Sequence, residues 1–79
     1  MNELEIAKKL IEDANVMIAE RNQNTRDANI YRNVIRHDGD SNGTRKSRME
    51  RLKKEAAQLQ EQIDYNLAFA ENILERASA

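Results

Sequence analysis

Asp38-Gly39-Asp40-Ser41-Asn42-Gly43-Thr44 holds both glycines of this 79-residue chain, which has no proline. These are turn-forming residues: glycine adopts positive φ without a Cβ clash, and short polar side chains bond to nearby backbone. The sequence on either side has helical periodicity, so the chain must turn back here. The expected fold is all-α, an antiparallel two-helix hairpin of coiled-coil type assembling into a four-helix bundle or larger helical oligomer. The expected bounds are one domain over residues 1–79, with helix over about 3–37, a turn over about 38–46 and helix over about 47–77.

Working outward from the turn, arm one carries Leu4, Ala7, Ile11, Ala14 and Ile18 at alternating spacings of three and four, the seam of a coiled-coil-like helix. Leu10, Met17, Asn24 and Tyr31 run one position ahead of that seam and widen it. Arm two carries Met49, Leu52, Ala56, Leu59, Ile63, Asn66, Ala70, Ile73 and Ala77, with Leu67 and Leu74 alongside. Asn2 with Glu5 reads as a capping pair for the first helix. Ser47 with Glu50 reads as a capping box for the second, with Thr44 as an earlier alternative cap; the Ser47 start leaves Arg45 and Lys46 in the loop, away from an unfavourable helix dipole. Folding about Ser41 places Leu4 near Ala77, Ile11 near Ala70, Ile18 near Ile63, and Asn15 level with Asn66 or Leu67, which makes Asn15 with Asn66 the expected buried amide pair.

One seam buries too little to hold so short a chain by itself. With no cysteine, neither a disulfide nor a Cys-based zinc site can help. Oligomerisation is the remaining route, and a homodimer is the simplest form. The expected oligomer interface is Leu4, Leu10, Ile11, Met17, Ile18, Ile63, Asn66, Leu67, Ile73 and Leu74. Within it a polar belt of Asn15, Arg21, Asn22, Thr25, Gln58 and Gln62, with Gln60, is placed to fix register, because a buried amide or charge tolerates few pairings. An arginine among glutamines at the centre of a helical bundle resembles the central layer of SNARE complexes.

Charge is strongly segregated. Residues 21–54 carry ten Lys/Arg and four Asp/Glu, a net +6, while the remaining residues carry three and ten, a net −7. The overall −1 therefore hides a bipolar rod. Hairpins packed with their turns at opposite ends bring basic halves over acidic ones, which favours that association. Arg36, Arg45, Lys46, Arg48 and Arg51 form a collar near the turn, a candidate site for an anionic partner such as an acidic protein or nucleic acid. In architecture this resembles ROP-type dimeric helical-hairpin RNA-binding proteins. Asp38, Asp40 and Asn42 resemble the first half of an EF-hand loop and are the alternative metal-binding set. The loop departs from that pattern at Arg45 and Met49, the latter standing where a bidentate Glu is expected.

No constellation of catalytic type is present. The single histidine, His37, has no nucleophile or second ligand beside it, and no glycine-rich phosphate loop exists. The start, Met1-Asn2-Glu3-Leu4-Glu5, is acidic and lacks the basic region of a signal peptide, and no apolar run reaches the roughly 18 residues of a membrane span. The expectation is a non-enzymatic cytoplasmic protein without a cofactor or membrane partner. Its role would be that of a small regulator, chaperone or assembly factor acting through its helical surface. A designed bundle with a buried polar layer and a calcium-responsive hairpin are further alternatives.

Overall fold

The computed structural model describes residues 2–78. Two helices, α1 (Glu3–Asp38) and α2 (Thr44–Ser78), pack against each other as a hairpin. The result is a rod of 58 × 18 × 14 Å. No strand occurs among the described residues.

Asn2 opens α1: its backbone is extended and its Oδ1 accepts the backbone N–H of Glu5 at 2.8 Å. That bond satisfies one of the donors a helix start leaves without an intrahelical acceptor, and Glu3 and Glu5 complement the dipole there. At the other end Gly39 donates its N–H to the Ile35 carbonyl at 2.9 Å, then leaves the helical path with φ +76° and ψ −172°. Few residues other than glycine adopt that conformation.

The second helix starts three residues earlier than the Ser47–Glu50 pattern predicts, so Arg45 and Lys46 belong to its first turn. Asp40 is the reason. Its Oδ1 accepts the Arg45 N–H at 3.0 Å and its Oδ2 accepts the Lys46 N–H at 2.9 Å. Asn42 Oδ1 accepts the Thr44 N–H at 3.1 Å, and Gly43, at φ +75°, gives its carbonyl to Ser47. A carboxylate therefore sits on the positive end of α2, where it offsets both the dipole and the basic first turn. The Gly43 N–H returns to the Asp40 carbonyl at 3.2 Å, and Arg45 Nη1 donates to the Gly39 carbonyl at 2.9 Å.

The seam is also rotated from the expected one. Ala7, Ala14 and Ala28 are buried in α1, while Leu4 and Thr25 are exposed. The centre thus runs along Ala7, Ala14 and Ala28, with Arg21 at the intervening heptad position. Leu10, Met17, Asn24 and Tyr31 are half-buried on one side of it, Ile11 and Ile18 on the other. In α2, Ile63, Ala70 and Ile73 are buried, and Ala77 is exposed. Ala7, Ala70 and Ile73 form a core cluster against which Leu10 and Ile11 pack, at the end remote from the turn.

Candidate functional site

Two grooves flank the seam on opposite sides and in opposite halves of the rod. The first, in the basic half, is lined by Ile30, Tyr31 and Val34 of α1 and by Arg48, Arg51 and Leu52 of α2, with Asp27 at its edge. Arg48 Nη1 reaches across the helices to the Tyr31 hydroxyl at 3.4 Å. The floor is apolar and the rim carries two guanidinium groups. The second, in the acidic half, is lined by Ile11, Leu67, Ala70 and Leu74, with Glu71 and Glu75 beside them.

Large apolar side chains stand uncovered on both sides. Leu67 and Leu74 border the second groove, and Leu4 is one heptad before Ile11 on the same stripe. On the other side of α2, Tyr65 is 69% and Phe69 44% exposed, their rings stacked with centroids 6.2 Å apart. Ile30, in the first groove, is 59% exposed. Phe69 was not among the residues singled out from sequence. Its signal was a position just before the seam residue Ala70, followed three heptads back to Arg48.

Of the predicted interface residues, Ile63 and Ile73 are buried inside the hairpin. Leu10, Ile11, Met17, Ile18 and Asn66 are half-buried, and Leu4, Leu67 and Leu74 are exposed. Of the polar belt, Arg21 is half-buried and donates from Nη1 to Gln60 Oε1 across the helices. Its Nη2 also donates to Asn22 Oδ1 at 2.7 Å. Thr25 returns its hydroxyl to the Arg21 carbonyl at 3.0 Å. Asn15, Asn22, Thr25, Gln58 and Gln62 are exposed in the hairpin, and no polar residue is fully buried among the described residues. The expected Asn15–Asn66 pair does not form: Asn15 faces solvent and Asn66 donates to the Leu10 carbonyl at 3.4 Å. Asn15 lies one residue, about 100°, round the helix from buried Ala14 and so faces away from the seam, and the register is shifted as well. With Arg21 across from Gln60 and Tyr31 across from Arg48, the hairpin folds about Asp40 rather than Ser41.

Around the turn, Arg36, Lys46, Arg48 and Arg51 are exposed and Arg45 is half-buried, held to the Gly39 carbonyl. Two of the three residues in the suggested metal set are engaged elsewhere, and Asp38 is exposed at the end of α1. Both oxygens of Asp40 and Oδ1 of Asn42 accept backbone N–H groups, so these ligands fit a helix cap better than a cation. No group of three or more His, Cys, Asp or Glu side chains gathers in metal-binding geometry among the described residues. No helix there is long and apolar enough to cross a membrane. No family model, curated protein or solved structure matches the chain.

Proposed function

We propose that this hairpin is a non-enzymatic interaction protein that associates with a second copy of itself, most simply as a dimeric four-helix bundle, and presents the resulting helical surface to a partner as a small regulator, chaperone or assembly factor. One observation carries the reading: the thin hairpin exposes more total surface than a compact monomer of its mass, and that surface includes the large apolar side chains Leu4, Val16, Ile30, Tyr65 and Phe69. A folded monomer of 9.1 kDa is expected to expose about 4,900 Å². This chain exposes 5868 Å². Two copies that each hid the excess would bury about 2,000 Å² together, the size of a stable homodimer interface. The buried set supports the same conclusion, since four of its six residues are alanines.

Sedimentation equilibrium of the purified chain at micromolar concentration tests this. The expected result is a mass of two chains, with unfolding that shifts to higher denaturant as protein concentration rises. A stable, folded monomer that shows no such shift would remove the proposal.

A second reading is favoured by the exposed cations around the turn. Arg36, Lys46, Arg48 and Arg51 would bind an anionic partner, nucleic acid or an acidic protein, with affinity that falls steeply as salt rises. Binding of duplex RNA that is unchanged by replacing Lys46 and Arg51 with glutamine would count against it.

A further inference from the structure

We infer that the self-association face is the side of the hairpin carrying Phe69, and that Phe69 of each copy seats in the Ile30–Tyr31–Leu52 groove of the other. This rests on the self-association proposed above and specifies its geometry.

The first ground is that aromatic and groove share a side. The groove is bordered on α2 by Arg48, and Tyr31 bonds to Arg48 across the same side. Phe69 lies three heptads beyond Arg48, so in a helix whose seam follows heptad spacing it returns to that side. Phe69 precedes the seam residue Ala70, whereas Leu67 follows the seam residue Asn66, so Leu67 and its groove lie opposite.

The second ground is distance. The observed register sets Phe69 level with Ile11, consistent with its neighbour Ala70 packing in the cluster that Leu10 and Ile11 join. The middle of α1 falls at Glu20–Arg21. Phe69 therefore lies about ten residues, roughly 15 Å, to one side of the middle, and Ile30–Tyr31 lies about the same distance to the other. A two-fold axis through the middle of this face and perpendicular to it then carries each Phe69 onto the other copy's groove. An isologous interface requires such self-complementarity: if residue i meets j, then j meets i.

The third ground is charge. The same rotation sets the +6 half of each copy against the −7 half of the other. Asp13 occupies the Phe69 side of α1 at nearly the same level, and it falls opposite Arg51 at the groove rim. A ring entering an apolar floor beneath a guanidinium combines burial with a cation–π approach. On the opposite side Glu71 and Glu75 would likewise meet basic residues, but no aromatic stands there to enter a groove. There the rotation would lay the Leu4, Ile11, Leu67 and Leu74 stripe against Arg32, Lys46 and Lys53, which continue the same heptad series.

The chain has no cysteine, which makes disulfide trapping unambiguous. The test is the double variant Ile30→Cys with Phe69→Cys, oxidised at low micromolar concentration and read on a non-reducing gel beside a control, Ile30→Cys with Leu67→Cys. Within one chain positions 30 and 69 are about 28 Å apart along the rod, so a bridge between them must join two copies. The expected result is a covalent dimer from the first variant and little from the control. A second measurement uses the otherwise native chain: Phe69→Ala should keep its helical circular dichroism and raise the dimer dissociation constant by at least about tenfold. If the wild type is dimeric but the first variant links no better than the control, or Phe69→Ala dimerises like wild type, the face is wrong while self-association stands. A monomeric wild type overturns both, whatever it binds at Arg48 and Arg51.

Discussion

The two ends of the rod are held by different physics. At the turn end, order comes from directed hydrogen bonds: Asp40 takes two backbone N–H groups of α2 and one of the turn itself, and Arg45 ties back to the Gly39 carbonyl. At the open end nothing covalent joins the helices, and order comes from Ala7, Ala70 and Ile73 with Leu10 and Ile11 against them. The core thus sits where the two arms would otherwise separate most easily. Close to the connection, chain continuity keeps the arms together and a smaller apolar contribution suffices. The comparison teaches that in so thin a fold, apolar burial is most useful far from the loop and polar capping is most useful within it.

Breaking the open end should cost most. Ile73→Ala removes a buried side chain from the cluster and is expected to lower stability by about 2–4 kcal/mol. In urea titrations this reads as a large drop in midpoint, with amide exchange quickening first near both termini. Breaking the turn should cost less. Asp40→Ala leaves the Arg45 and Lys46 N–H groups to water and is expected to lower stability by about 1–2 kcal/mol. Exchange should then quicken at Thr44–Ser47 while the Ala7–Ile73 region keeps its protection. Ser47→Ala should have a far smaller effect than Asp40→Ala, because Ser47 lies inside the helix and does not cap it. The smallest effect belongs to the Lys9–Asp13 pair, 3.2 Å apart and well exposed, where replacing both residues with glutamine should change the hairpin's own stability by no more than about 0.5 kcal/mol. Opening of the termini before the turn in Asp40→Ala, or the reverse order in Ile73→Ala, would show that the two ends do not divide the work in this way.

Much of this was legible in the sequence, because the strongest signals were the turn glycines and two long runs of helical periodicity. The helix start was misread for a specific reason. Local capping rules look at a residue and its third neighbour, and Ser47–Glu50 satisfies them. The operative cap, Asp40, instead bonds five and six residues along the chain, a reach the two intervening turn residues and Gly43 make possible. The seam of α1 was ambiguous in kind: Leu4-Ile11-Ile18 and Leu10-Met17-Tyr31 are both seven-residue series. Sequence periodicity cannot choose between them. Packing chose the line of Ala7, Ala14 and Ala28 that lies between the two, with Arg21 filling the remaining heptad position and reaching across to Gln60. Of the polar belt, Arg21 and Gln60 meet across the helices, but a single pair of helices has one narrow seam. The long side chains beside it therefore reach water unless another surface covers them.

The turn also carries a statement about handedness. Built onto Gly39 or Gly43, a Cβ would meet nothing within 4 Å, so what excludes other residues there is torsion and not crowding. Gly39, at φ +76° and ψ −172°, occupies the mirror image of the extended region that ordinary residues prefer. The hairpin is thus a place where the chain asks for the opposite enantiomer. A synthetic chain with D-alanine at position 39 should be more stable than the natural one by about 0.4–1 kcal/mol, through lost freedom of the unfolded chain, while L-alanine at the same position should be less stable. The two diastereomers differ at a single stereocentre, so opposite shifts in their unfolding midpoints would report the backbone torsion alone.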